Sequence, residues 1–152
     1  MQYLVTGGAG FIGSHIVRTL LEGGENVRVL DNFSTGKREN LAGLAEQFSD
    51  GKFAVHEGDL RDRALVENAI QNVDIIFHEA AFISVPESME KPQDCFDVNV
   101  DATVSLFEAA RQAGVRRVVV ASSAAVYGES EAVGPPRAST PPAARPPARG
   151  GG

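Results

Sequence analysis

The 152-residue sequence has no tryptophan, two tyrosines, three histidines and one cysteine. Cys95 by itself cannot form an internal disulfide, so it fits a reducing compartment and reads as a small buried side chain. His15, His56 and His78 share no metal-type spacing with it, and no metal site is expected. No apolar run approaches the roughly 20 residues of a membrane span. The first strand is expected at residue 2 or 3, which leaves no room for a cleaved leader. Lysine stops at Lys91, and the residues four past Tyr3 and Tyr127 are Gly7 and Glu131, so a Tyr-x-x-x-Lys pair is absent. Acidic side chains are absent from 133–152, which carries Arg137, Arg145 and Arg149, whereas 1–132 holds 11 basic against 20 acidic residues. An acidic body argues against nucleic acid as a partner.

What is present first is Thr6-Gly7-Gly8-Ala9-Gly10-Phe11-Ile12-Gly13, directly after the apolar run Tyr3-Leu4-Val5. Gly7, Gly10 and Gly13 stand at spacing three between an expected strand and an expected helix. Such glycines permit a turn of positive φ, close approach of backbone to a pyrophosphate, and tight helix–strand packing. The helix that follows would aim its free N–H groups and positive end at the phosphates.

Short apolar segments rich in valine and isoleucine predict strands near 2–6, 26–30, 53–56, 74–78 and 117–122, buried on both faces. Helices are expected near 11–22, 37–48, 61–71 and 92–113, the last with Pro92 in its first turn and Gly114 past its end. The βαβα alternation implies an α/β fold, a doubly wound parallel sheet of the Rossmann kind cut short after about five strands. The helix at 92–113 carries two apolar stripes: Phe96, Val100, Val104, Phe107 and Ala110, and the smaller Val98, Ala102, Leu106, Ala109 and Ala113. A helix lying on a sheet needs one apolar face. The small-residue stripe would meet another helix, or else the whole helix is covered in a thick core.

The expected organisation is a dinucleotide-binding domain over 1–128 and a tail over 129–152. In 133–152, Pro, Ala, Arg and Gly make up 17 of 20 residues, a composition that predicts disorder. All four have GC-rich codons, so an out-of-frame or truncated reading of a GC-rich gene would produce it. A Pro-rich linker is the alternative.

Asp31 ends the second strand, 18 residues after Gly13. A carboxylate there accepts from both ribose hydroxyls and repels a 2′-phosphate, favouring NAD over NADP, although Lys37 and Arg38 lie near enough to offset a phosphate. Asp59 follows the third strand, where it would accept from an adenine amino group, cap the helix at 61–71, or both. His78 and Glu79 read as structural, and Ala80-Ala81 lets backbone run beside a flat cofactor. After the fifth strand, Ser122 and Ser123 either cap a turn or present a hydroxyl to a substrate oxygen.

Taken together, TGGAGFIGSH at 6–15, LDNFSTGKREN at 30–40, GDLRD at 58–62, HEAAFISVPES at 78–88, Asn99-Val100 and ASSAAVYG at 121–128 resemble one family. It is the N-terminal half of the extended short-chain dehydrogenases/reductases, the NAD-dependent sugar-nucleotide epimerases and dehydratases, and most of all the UDP-glucose 4-epimerase group. The resemblance implies NAD as cofactor. It places Gly7, Gly10, Phe11 and Ile12 at the pyrophosphate, Asp31 and Asn32 at the ribose, and Asp59 and Leu60 at adenine. Ala80 and Ala81 would lie at the nicotinamide side, Asn99 would contact the cofactor, and Ser123 would be the catalytic serine. It further implies a nucleotide-sugar substrate, a cytoplasmic protein, and a homodimer through the helix at 92–113. Related dehydratases carry acids where this chain has Ala124-Ala125, which favours plain epimerisation at C4. The family's Tyr-x-x-x-Lys pair is missing, so the chain as written is expected to be inactive. A non-catalytic NAD-binding or interaction module, or a reductase or dehydratase of the same superfamily, remains the alternative.

Overall fold

The computed structural model describes residues 1–48 and 51–128. Two compact units divide the chain, Met1–Val120 and Ala121–Gly152. In the first, β1 (Gln2–Thr6), β2 (Asn26–Asp31), β3 (Phe53–Glu57), β4 (Ile75–His78) and β5 (Arg117–Val120) form one sheet in the order β3-β2-β1-β4-β5. All four pairings are parallel, with Val5 opposite Val29 on one side and Phe77 on the other. The strand order reverses at β1, so the crevice of a doubly wound sheet opens beside the turn that follows it.

Each face of the sheet is covered because neighbouring strand residues point to opposite sides. Val5, Val27 and Val29 pack with Val17 and Leu21 of α1 (Phe11–Glu22) and with Leu41 and Leu44, the latter opening α2 (Leu44–Gln47). Leu4, Leu30 and Ile76 pack with Val66, Ala69 and Ile70 of α3 (Arg63–Ile70) and with Ala102, Leu106 and Ala110. Those three belong to a continuous helical run made of α5 (Pro92–Phe96), a π-helical stretch (Asp97–Ala102) and α6 (Thr103–Gln112). Arg28 on β2 donates to the carbonyls of Ala69 and Gln71 and so closes the end of α3.

The five expected strands are present. The edge strands are not buried on both faces: Val55 on β3 and Val119 and Val120 on β5 are exposed, because a strand with one neighbour has less to cover it. The helix expected over 37–48 is instead a 3-10 turn (Arg38–Leu41) and the short α2, separated where Gly43 takes a φ of 76°. A further helix, α4 (Val85–Glu90), is capped by Ser84, whose hydroxyl accepts from the Glu87 N–H. The smaller stripe of the long helix meets another helix, α3: Ala102 and Leu106 face the core beside Val66, Ala69 and Ile70. The whole helix is not covered, since Phe96, Val100, Val104 and Phe107 are exposed. Small side chains let the helix sit close to the sheet, and the bulky stripe is left outward; Ala110 is the one member of that stripe that is buried.

In the second unit a 3-10 turn (Ala124–Tyr127) follows Ser123, whose carbonyl accepts from the Val126 N–H at 3.1 Å. The tail expected over 129–152 lies outside the described residues.

Candidate functional site

The turn after β1 has Gly7 at φ 68°, a left-handed conformation that glycine adopts without the cost a side chain imposes. A side chain at Gly7 would place its Cβ 2.7 Å from the Ala80 nitrogen, so the turns after β1 and β4 touch through backbone. A Cβ at Gly13 would collide with the Gly7 carbonyl oxygen and stand 2.8 Å from Gly8 Cα. A Cβ at Gly10 would meet only the Gly7 oxygen, at 3.2 Å. The fingerprint thus packs α1 against the turn at Gly13 and the β4 turn against it at Gly7. No side chain caps α1, whose first-turn N–H groups cannot be satisfied within the helix. Phe11 and Ile12 lie exposed at this end. The result is a positive, uncapped helix terminus beside the strand-order reversal, suited to an anionic group.

Asp31 ends β2 beside this turn. Its Oδ2 accepts from the Ala9 N–H and its Oδ1 from the Phe33 N–H, both at 2.8 Å, and the residue is only 8% exposed. Each oxygen keeps one lone pair for a hydroxyl donor. The Ala9 carbonyl accepts in turn from Lys37 N–H and Asn40 Nδ2, so the segment 31–40 is tied to the glycine turn from both sides of Ala9. Gly36 belongs to the same clasp: a Cβ there would stand 2.8 Å from Ala9 Cβ and 3.0 Å from Asp31 Oδ1. Arg38 is engaged with Glu57 and lies over the Phe33 ring.

Asp59, at the turn after β3, does not cap the helix that follows. Asp62 does, accepting from the Leu65 N–H at 3.1 Å. The Asp59 carboxylate accepts from the backbone N–H, Nε and Nη2 of Arg61, and also from Asn32 Nδ2 at 3.0 Å. The Arg61 guanidinium holds its carboxyl pKa well below the usual carboxylate range. Leu60 is buried in the core against α3.

At the end of β4, the His78 ring is buried and bonded at both nitrogens, Nδ1 to Thr6 Oγ1 at 2.7 Å and Nε2 to Thr103 Oγ1 at 3.0 Å. Thr6 Oγ1 also accepts from the Ala80 N–H. Four residues before Thr103, Asn99 accepts from the Phe82 N–H at 2.8 Å and donates to the Phe82 carbonyl at 3.0 Å. The helix therefore grips the β4 turn at both ends, leaving Ala80 and Ala81 between the grips. Asn99 lies in the π-helical stretch, a distortion that frequently marks functional positions. Burial pushes His78 below the ordinary histidine value and Glu79 above the ordinary glutamate value.

The lowered His78 value makes stability depend on pH. Unfolded, His78 takes up a proton near the ordinary value of about 6.5. The folded chain resists that proton, so the stability present above about pH 6.5 is lost as pH falls through it. His56, lowered by burial and by Arg28, acts with the same sign. The urea midpoint is expected to fall between pH 7.5 and 5.5, less steeply in His78→Gln. An equal slope in both proteins would show that His78 does not contribute.

Gly7, Gly10, Phe11, Ile12, Gly13, Asp31, Asn32, Asp59, Ala80, Ala81 and Asn99 are therefore gathered around the carboxyl edge of the sheet. Ser123 belongs to the second unit. Thr6, Gly36, Asn40 and Thr103 complete the local framework without having been singled out in the sequence. Thr6 lies inside the segment 6–15, and Gly36 and Asn40 inside the segment 30–40, that carry the resemblance; Thr103 offered no pattern of its own. Among the described residues, no group of three or more His, Cys, Asp or Glu is placed to hold a metal ion, and no helix is long and apolar enough to cross a membrane.

The sequence matches the NAD dependent epimerase/dehydratase family over residues 3–149. It is 43% identical to a UDP-glucose 4-epimerase of Streptomyces lividans over 135 residues, which is 87% of this chain and 39% of that protein. The fold is similar to that of the UDP-glucose 4-epimerase of Thermus thermophilus in complex with NAD, at 46% identity and a TM-score of 0.74, covering 86% of this chain and 40% of the other. It is also similar to DesIV, a dTDP-glucose 4,6-dehydratase of Streptomyces venezuelae with NAD bound, at 40% identity and a TM-score of 0.76, covering 88% and 42%. The chain spans about two-fifths of the length of each of these three relatives.

Proposed function

The chain belongs to the NAD-dependent epimerase/dehydratase family, and we propose that it is the cofactor-binding part of a UDP-hexose 4-epimerase. The observation that carries this reading is the close approach at Gly7 and Gly13, where no side chain fits, beside an uncapped helix terminus and the buried Asp31 carboxylate. These groups suit NAD. The α1 terminus would hold the pyrophosphate, with Phe11 and Ile12 flanking it. Asp31 and Asn32 would hold the adenosine ribose, and Asp59 and Leu60 would border adenine. Ala80 and Ala81 would pass beside the nicotinamide half, with Asn99 holding that turn through Phe82.

Bound NAD supplies a site that takes hydride from a sugar carbon and returns it. The chain's own part in that reaction is to bind, orient and shield, with the Ser123 hydroxyl as the group proposed to donate to the substrate oxygen. Removing the sugar's hydroxyl proton requires an activated base, and the sequence holds no Tyr-x-x-x-Lys pair. General acid–base catalysis contributes about 10²–10⁴-fold, so the 152-residue chain is proposed to bind NAD without interconverting UDP-glucose and UDP-galactose. Calorimetry with NAD and a coupled epimerase assay on the folded chain test both halves. Heat with NAD and no interconversion is expected; no heat on folded protein would overturn the cofactor assignment, and turnover would overturn the inactivity.

The likeness to DesIV supports a dehydratase as the second reading. Ala124-Ala125, in place of the acids of related dehydratases, supports the epimerase. The single cysteine fits the cytoplasm as the proposed location. For the intact protein we propose a homodimer. The exposed stripe Phe96, Val100, Val104 and Phe107 is the proposed contact, because monomers rarely leave so much contiguous apolar surface open. Sedimentation equilibrium is expected to show self-association that Val104→Glu weakens; an unchanged association constant would move the interface elsewhere.

A further inference from the structure

The Asp59 carboxylate offers four lone-pair sites, and all four are filled. Oδ1 accepts from the Arg61 backbone N–H at 2.9 Å and from Arg61 Nε at 2.8 Å. Oδ2 accepts from Arg61 Nη2 at 2.8 Å and from Asn32 Nδ2 at 3.0 Å. An adenine amino group is a donor, so it gains nothing from an acceptor in this condition. If the guanidinium leaves, one lone pair opens on each oxygen, while the Arg61 N–H and Asn32 continue to orient the carboxylate.

The guanidinium has somewhere to go. Its remaining arm, Nη1, already lies 3.7 Å from Oδ1 of Asp94, in the first turn of α5. Next to it is a groove of about 590 Å³ between the start of α3 and the long helix, with Arg61, Arg63, Asp97, Asp101 and Ser105 on its walls. Asp97 also draws the Arg61 charge in this direction. The Arg61 side chain is 45% exposed and that of Asp94 50%, so the groove leaves room for the swing. The pair given up is a partly exposed fork and the one gained a single exposed contact, so the swing is driven by the hydrogen bond that the adenine amino group makes in the fork's place.

We propose that Arg61 masks Asp59 and yields it to the adenine amino group by moving onto Asp94, making Arg61 a specificity-determining residue at the base end of the site. The proposal rests on the dinucleotide reading above. It assigns Arg61 no contact with the ligand; its effect comes through competition for one carboxylate.

The experiment compares two probes on the full chain, NAD and its 1,N6-etheno derivative, whose etheno bridge removes the amino hydrogens. Dissociation constants are measured by calorimetry for the parent, Arg61→Gln, Arg61→Lys and Asp94→Asn, each checked for an unchanged urea midpoint. Arg61→Gln is expected to bind NAD about two- to fivefold more tightly relative to the etheno derivative than the parent does, the range an exposed ion pair supplies. Arg61→Lys, which keeps the charge and loses the fork, is expected to shift the ratio in the same direction. Asp94→Asn, which removes the receiving carboxylate, is expected to weaken NAD and leave the etheno derivative unchanged. Because the readout is a ratio, loss of a positive charge acting on the phosphates cancels. An unchanged ratio in Arg61→Gln, or a ratio that falls, overturns the proposal. Binding of neither probe to the folded parent overturns the dinucleotide reading instead, and with it this inference.

Discussion

Gly13→Ala is expected to lower folding stability by about 3 kcal/mol, at the upper end of what overpacking by one methyl group costs. Alanine is the better helix former by about 1 kcal/mol, and Gly13 lies in the first turn of α1, so propensity alone would predict a gain. Sterics decide the sign. The added Cβ would meet the Gly7 oxygen, Gly8 Cα at 2.8 Å and Gly7 carbonyl carbon at 2.9 Å, all of them backbone. No rotamer change relieves such contacts. The helix must back away from β1, opening the layer where Val17 and Leu21 meet Val5 and Val29. Gly10→Ala serves as the control, because its only close contact stands at 3.2 Å and a small shift relieves it. Urea titration of the three proteins measures the effect. A Gly13→Ala midpoint at or above that of the parent would show that the turn and α1 are not held at the separation described.

Asp31→Asn is expected to weaken NAD binding by at least about tenfold and to narrow any preference over NADP. Hydrogen bonds to a charged acceptor contribute about 1.5–3 kcal/mol each, and the ribose hydroxyls would lose one or two of them. The substitution also removes the negative charge that disfavours a 2′-phosphate, so NADP affinity falls less than NAD affinity. A second effect is structural. The carboxylate serves the N–H groups of Ala9 and Phe33 at once. A primary amide offers one acceptor oxygen, so one N–H is left facing another donor. Leaving a buried donor unsatisfied costs about 1–3 kcal/mol. Calorimetry with both cofactors and a urea midpoint separate the two effects. Unchanged affinity for both cofactors would refute the ribose assignment.

The central strands are readable in the sequence because β1 and β4 carry apolar residues at successive positions, as does β2 at Val29 and Leu30, which a strand covered on both faces requires. The same rule overstates the edges, since Val55, Val119 and Val120 are apolar without being covered. Periodicity shows that the long helix has two apolar stripes, yet it cannot say which stripe faces inward. That choice falls to side-chain volume, because Ala102 on the inward stripe allows an approach that Phe96 and Phe107 on the other would prevent. The helix α4 is hidden because Val85-Pro86-Glu87-Ser88 has no apolar period. Its signal is the Ser84 to Glu87 capping spacing, which the structure uses through the Ser84 hydroxyl. Similarly, Asp59 and Asp62 are both plausible caps by composition. The three-residue offset to the Leu65 N–H selects Asp62.

For the site, glycine spacing and the acid at 31 are legible because each reflects a local backbone demand. The grip on the β4 turn is not, since Thr6, His78 and Thr103 are far apart in sequence and meet only when β1 and β4 pair. Asn99 stands out through resemblance, and its two bonds to Phe82 give a physical reason for an amide at that position: only a side chain with both a donor and an acceptor can hold an N–H and a C=O of one residue.

The pairing of β1 also constrains the order in which the chain can acquire structure as it is synthesised. Its partner on one side begins at Asn26, whereas on the other Tyr3 waits for Ile75. Until residue 78 has emerged, β1 presents a free edge bearing Leu4 and Val5, a template open to pairing with another nascent copy. The turn at Gly7 is held to the β2 side early, through the Gly7 N–H to the Leu30 carbonyl. It acquires its contact with Ala80 only after β4 has emerged. Slow translation between residues 31 and 75 would therefore prolong exposure of that edge, and faster synthesis through this stretch would shorten it.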